Sequence, residues 1–230
     1  MALILNIDTS SAVSHVFLAS GKQVLAAAQN DQPMNHASFI DPAIRELFKS
    51  ADLKLSQVDA VAVVSGPGSY TGLRVGLATA KGLCYALGKP LIFLNSLELL
   101  AAAAREKAIE NGPIPENILF CPMIDARRME VFTALYNKEL ALVEPPQALI
   151  LSDTSFSSHL ERKTVIFCGN GSPKFQPVCT SPNAIFSIIN YTVRTICDTS
   201  TQLFDKNKFV DLAYSEPFYL KEFFSNFKKK

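Results

Sequence analysis

Two aspartates stand at the ends of apolar runs, where chemistry is often built. Leu3-Ile4-Leu5-Asn6-Ile7 closes on Asp8-Thr9-Ser10, and in a phosphotransferase an aspartate at such a turn would hold a metal-bound water beside the phosphates. The same residue types also cap hairpin backbones with no catalytic role. This turn has no glycine, so its side chains would keep a nucleotide's phosphates away from the backbone. The second candidate is Gly66-Pro67-Gly68-Ser69-Tyr70-Thr71-Gly72, between an apolar run and a helical segment. Exposed amides at a helix start suit an anion. Yet no lysine follows the last glycine, and the spacing is one residue off the dinucleotide fingerprint. As a tight turn, the segment would instead use its glycines for unusual dihedrals. Arg74 is placed to reach back to an anion or to join a surface ion pair.

Other chemistries find less support. His15, His36 and His159 are far apart, and Ile40 stands four residues after His36, so no helix face presents two imidazoles to a metal. No Gly-x-Ser-x-Gly elbow is present. Cys84, Cys121, Cys168, Cys179 and Cys197 are odd in number and lack C-x-x-C spacing, which reads as reduced core thiols. Lys228-Lys229-Lys230 reads as a solvated chain end.

With 48% hydrophobic and 19% charged residues in 230, the chain can build one large core or two modest ones. Its 22 basic and 21 acidic residues nearly cancel, so it lacks the single-signed field of a protein that grips nucleic acid through phosphates alone. Any RNA would be held through a partner. Met1 to Leu5 is short, uncharged and followed by Asn6 and Asp8; this predicts neither a signal peptide nor a membrane span, and hence a cytoplasmic location.

The elements that must position these residues follow from periodicity. Leu3–Ile7, Ala12–Ala19 and Gln23–Ala28 predict an antiparallel meander that ends at Asn30-Asp31-Gln32-Pro33. A helix from about His36 to Ser50 follows, capped by Asn35, with Pro42 predicting a kink or a later start near Asp41. Its apolar residues cover about half the cylinder, as in a helix that serves two neighbours. Val58–Ser65 predicts a strand buried on both faces. In Leu73–Leu87 the rhythm Gly76, Ala78, Ala80, Gly82, Ala86 allows close backbone approach in a helix. A strand at Pro90–Leu94 and a helix from Ser96 to about Ile109 complete the first half.

Asn111-Gly112-Pro113-Ile114-Pro115 divides the chain into units 1–110 and 111–230. The pattern then restarts with a strand at Ile118–Ile124, the turn Asp125-Ala126-Arg127-Arg128 and a strand at Met129–Tyr136. This is a weak internal duplication with Asp8 and Asp125 in corresponding places. A strand at Thr164–Cys168 closed by Gly169-Asn170-Gly171, and a helix within Asn183–Cys197, follow.

Taken together, Ile7-Asp8-Thr9-Ser10, the stretch from Gly66 to Gly76, Ile124 to Val131 and Pro217-Phe218-Tyr219-Leu220-Lys221 resemble the TsaB (YeaZ-like) family across nearly the whole chain. The resemblance implies an α/β, actin-like fold of two related lobes, each a mixed sheet flanked by helices. It also implies a cytoplasmic, glycoprotease-like subunit of the machinery that makes threonylcarbamoyladenosine next to the transfer-RNA anticodon, without an active site of its own. In that family the subunit pairs with the catalytic TsaD through first-lobe helices; an ATPase, TsaE, joins; transfer RNA is met through the complex. TsaD carries a helical H-x-x-x-H metal pair, which Ile40 breaks here, so no metal is implied. The resemblance places Phe39, Ile40, Ile44, Leu47, Leu73, Gly76 and Ala80 at the partner interface, a patch that could also close a homodimer when the partner is missing. Asp8, Thr9, Ser10, Gly66, Gly68, Gly169 and Gly171 become vestigial nucleotide loops, with no cofactor required and weak nucleotide binding at most. The competing reading is an enzyme acting alone, an actin-like phosphotransferase using Asp8 and Asp125, or a peptidase.

Overall fold

The computed structural model describes residues 1–32 and 35–221; Pro33 and the terminal lysines lie outside the described residues. A meander of β1 (Leu3–Asp8), β2 (Ser14–Ser20) and β3 (Gln23–Asn30) opens the chain. After α1 (His36–Ser50), β4 (Ala60–Gly66) returns parallel to β1; after α2 (Tyr70–Leu87), β5 (Leu91–Asn95) runs parallel to β4. The first sheet is therefore ordered β3-β2-β1-β4-β5. Helix α3 (Ser96–Glu110) leads to the restart: β6 (Ile118–Asp125), β7 (Glu130–Tyr136) and β8 (Leu142–Ile150) form a second meander. Then α4 (Ser157–Leu160), β9 (Thr164–Cys168), α5 (Ser172–Phe175), β10 (Ala184–Ser187) and α6 (Val193–Asp205) follow, with β9 parallel to β6 and β10 parallel to β9.

Read from its meander edge, the second sheet is β8-β7-β6-β9-β10, the same order of roles as the first. The duplication read from Asp8 and Asp125 thus extends through five strands, and the expected α/β arrangement of two related lobes, each a mixed sheet flanked by helices, is present. In each lobe the first strand ends in the aspartate, and the fourth strand ends in a Gly-x-Gly loop, Gly66-Pro67-Gly68 or Gly169-Asn170-Gly171.

Strands β1 and β4 are buried along their whole length because both faces are covered. Leu5, Ile7, Val61 and Val63 pack with Ile40, Ile44 and Leu47 of α1 and with Leu77 and Ala80 of α2. Their alternate neighbours Ile4, Ala60, Ala62 and Val64 pack with Leu99 of α3 and with Ile196 and Cys197 of α6. Helix α3 is shared: Leu99 faces the first sheet, while Leu97, Ala101 and Ala104 pack with Phe120, Tyr136 and Ile166 of the second. The strands sort on either side of residues 110 and 111, but α3 and α6 each cover the sheet of the other half.

The structure departs from expectation in three places. Helix α1 starts at His36 and runs through Pro42; Pro42 is on the exposed side, where water can satisfy the carbonyl that its missing N–H leaves free. The helix expected within Asn183–Cys197 starts only at Val193 and runs on to Asp205, and the segment opens with the unexpected strand β10. Strand β8 was not expected; it carries Pro145-Pro146, which it tolerates as an edge strand.

Candidate functional site

The ends of β1 and β4 meet α6's approach across a cleft of ≈ 730 Å³ between the lobes, walled by Asp8, Ser10, His36, Gly68, Asn170 and Tyr191. Asp8 is 1% exposed, and a buried carboxylate requires donors. Oδ1 accepts from Ser10 N at 2.9 Å and Ser10 Oγ at 2.7 Å, and Oδ2 accepts from the Tyr191 phenol at 3.0 Å. Ser10 Oγ is also 2.9 Å from the phenol oxygen; with both hydroxyl protons directed to Asp8, that third side of the triangle carries no proton of its own. Burial, then the charge of Asp8, push the Tyr191 pKa well up, so the phenol is a neutral donor.

Glycines bring the Gly66–Gly72 loop onto this turn. A Cβ at Gly68 would lie 2.3 Å from Ser10 O, at Gly72 2.0 Å from Thr9 O, and at Gly76 2.4 Å from Thr9 Oγ1. Ser69 N donates to Ser10 O at 2.7 Å, and Thr9 Oγ1 donates to Gly72 O at 2.6 Å. The start of α2 is therefore docked against the β1–β2 turn. The small-residue rhythm of α2 splits in two: Gly76 and Ala80 face inward, whereas Ala78, Gly82 and Ala86 face solvent.

In the second lobe, Asp125 N donates to Asn170 Oδ1 at 2.9 Å and Gly171 N to Met123 O at 2.9 Å. The Asp125 carboxylate pairs with Lys174 at 2.5 Å and accepts from Arg127 N at 2.6 Å. Its partial burial opposes ionisation, but the Lys174 hydrogen bond, the Arg127 amide and both cations hold its pKa below the ordinary value.

His36 Nδ1 lies 2.5 Å from Ser14 Oγ, while Ile40 is turned into the core. Among the described residues, no three His, Cys, Asp or Glu side chains are grouped to hold a metal ion. Buried thiols are equally unsuited to attack: burial pushes Cys84 up to about 11 and Cys168 up to about 12. Among the described residues, Asp8 and Asp31 line the cleft and no lysine or arginine does; the Ser10 and Ser69 amides are already engaged within the chain.

Of the residues expected at a partner interface, Ile40, Ile44, Leu47, Leu73 and Ala80 are buried within this chain, Gly76 lies against Thr9, and Phe39 is half-buried. The width of the α1 apolar face is used by the lobe's own core. Exposed on α2 are Thr71, Arg74, Ala78, Gly82, Tyr85 and Ala86. Sequence reasoning missed Tyr191 and Lys174, which reach the two aspartates across 183 and 49 residues; neither carries a local signal. It also left unplaced the segment Phe218–Lys221, whose Phe218 N donates to Ser65 O at 2.8 Å.

No described helix is long and apolar enough to cross a membrane. Residues 24–215 match the family model described as TsaD: tRNA N6-adenosine threonylcarbamoyltransferase. The chain is 34% identical over 170 residues, 73% of its length and 70% of the relative's, to tRNA threonylcarbamoyladenosine biosynthesis protein TsaB of Bacillus subtilis. It is 47% identical over 70 residues to a tRNA N6-adenosine threonylcarbamoyltransferase of Rhizobium johnstonii, but there it spans only 19% of that protein. The fold is that of YeaZ from Pseudomonas aeruginosa, with a TM-score of 0.76 and 24% identity over 96% of this chain and 100% of that one. The chain belongs to the TsaB (YeaZ-like) family, within the reach of the TsaD family model.

Proposed function

We propose that the chain serves tRNA threonylcarbamoyladenosine biosynthesis as a non-catalytic subunit that docks TsaD, with TsaE joining the assembly. The observation that carries this reading is the outward face of α2. Ala78, Gly82 and Ala86 are exposed and uncharged, nothing lies within 4 Å of a Cβ added at Gly82, and Tyr85 is 85% exposed. A helix with such a face lets a partner helix approach closely, and a tyrosine beside it is a common anchor. The docking surface is thus placed by this reading on the solvent side of α2, one of the two helices that sequence reasoning chose, with its buried side supporting the lobe. The same face would close a homodimer when TsaD is missing. The internally paired aspartates and engaged amides of the cleft support a role without nucleotide or metal.

A reconstitution with TsaD, TsaE, the carbamoyl-adenylate-forming enzyme, transfer RNA, ATP, threonine and bicarbonate tests this. Gly82→Arg should not lower the melting temperature but should abolish co-elution with TsaD and tRNA modification. Full modification by Gly82→Arg would overturn the docking assignment. Loss of modification in Asp8→Asn with complex and fold intact would favour an enzymatic cleft instead.

A further inference from the structure

A second cavity, ≈ 260 Å³, lies across Pro67 and Gly68 from the first and has the opposite charge character. Three segments distant in sequence build it: the start of α2 with Tyr70, the β6–β7 turn with Arg127, and the segment Phe218–Lys221. Phe132, Phe218, Tyr70 and Tyr219 supply aromatic walls, Arg127 and Lys221 supply cations, and among the described residues no aspartate or glutamate lines it. The walls are held in place. Tyr219 packs on Tyr70 with ring centroids 5.0 Å apart, and its hydroxyl accepts from Arg74 Nε at 3.1 Å. Lys221 is tied to Glu130 at 2.5 Å, which anchors the segment to the second lobe.

The turn itself holds two arginines in the left-handed region, Arg127 at φ 68 and Arg128 at φ 50, where Gly or Asn would be the low-strain choice. Both side chains are exposed, and among the described residues neither forms an ion pair. Exposed guanidinium groups outside ion pairs, beside preset aromatic faces, are the two elements of single-stranded nucleic-acid sites: phosphates go to the cations and an unstacked base goes to a ring. The cavity is smaller than those that bury a whole drug-sized ligand, about 300–1,000 Å³, so it suits one unit of a larger ligand whose remainder lies outside.

We infer that this pocket receives a single unstacked nucleotide of transfer RNA, its base against the Tyr70, Phe132 and Tyr219 walls and its phosphate at Arg127 and Arg128. The inference rests on the proposed role in tRNA modification but not on the α2 docking face. It goes beyond the expectation, drawn from a near-zero net charge, that RNA is met through the partner: Arg127 and Arg128 put two cations side by side at one turn.

The test is binding of an unmodified tRNA transcript to the full chain alone, followed by fluorescence anisotropy over a salt series. Arg127→Glu combined with Arg128→Glu should weaken binding about tenfold or more and reduce the slope of log affinity against log salt by about two, one per lost phosphate contact. Tyr219→Ala should weaken binding several-fold with no change in slope. Lys163→Glu, on an exposed turn, controls for net charge and should have little effect. Gly82→Arg, which breaks TsaD docking under the proposed function, should bind the transcript normally, so failure of one reading is distinguishable from failure of the other. Arg127→Gln with Arg128→Gln serves if the glutamates unfold the chain, and should also weaken binding. Four outcomes overturn the inference: arginine variants that bind like Lys163→Glu; a Tyr219→Ala variant that binds like the unaltered chain; AMP that binds as tightly as the transcript, which marks a free-nucleotide site; or loss of binding on changing Lys228, Lys229 and Lys230 to Gln with no further loss from the arginine changes, which marks the basic chain end as the contact.

Discussion

The two lobes start from one plan and end with different turns. In each, the first strand finishes on an aspartate and the fourth on a Gly-x-Gly loop that packs back on it. Asp8 is 1% exposed and surrounded by hydroxyl and amide donors. The Asp125 side chain is 42% exposed and paired with an ammonium. What differs is the element after the glycine loop. Helix α2 has 18 residues, enters on Gly72 and Gly76 and presses on Thr9, whereas α5 has four and brings Lys174 over Asp125. Equal topological position therefore does not give equal chemistry; the length and approach of the next helix decide whether the aspartate is sealed or left at a rim.

The sharpest way to break this contrast is at the contact that seals the first turn. Gly72→Ala places a methyl 2.0 Å from the Thr9 carbonyl oxygen, a backbone atom with little room to move. It should destabilise the chain by about 3 kcal/mol, at the upper end for overpacking. Gly82→Ala, in open space on the same helix, should instead stabilise by about 0.5–1 kcal/mol through helix propensity. Denaturant unfolding of the two variants measures both. Equal effects would mean that α2 does not press on the turn as described.

This dependence on distant approach marks what the sequence made legible. Every strand of the first lobe was readable: β1 and β4 are largely aliphatic runs buried on both faces, β2, β3 and β5 are further apolar stretches, and turn residues separate them. The duplication was visible as two aspartates, yet its full extent lay in strand order, which no local pattern records. The α1 and α2 apolar residues were singled out as more than one contact needs, but periodicity reports only that a face is covered. Whether the chain's own sheet or a partner covers it depends on the packing of β2 and β4, far off in sequence. Tyr191 illustrates the rest: it follows an irregular stretch after β10, and its role comes from crossing to the other lobe.

The next smaller effect probes how Asp8 is held. Tyr191→Phe removes one donor to a buried carboxylate without creating a large void. The loss should be about 2 kcal/mol, the range for hydrogen bonds to charged groups. Asp125→Asn, at the exposed turn, should cost no more than about 0.5 kcal/mol. If the two variants lose the same stability, the donors around Asp8 contribute no more than a surface pair, and the distinction between the lobes is one of exposure only.

The smallest effect is the most specific to the second turn. With its folded pKa held below the ordinary 3.8, Asp125 contributes stability above that value and loses it as the pH falls through the lowered one. Since 42% of its side chain is in solvent, screening limits the pair to about 0.5 kcal/mol. Lys174→Met should thus lower the denaturant midpoint slightly at pH 7 and merge with the unaltered chain as the pH drops below 3.8. A gap that persists in acid would mean that Lys174 acts by packing its methylene stem under β7, and that the second turn, like the first, is held by contact more than by charge.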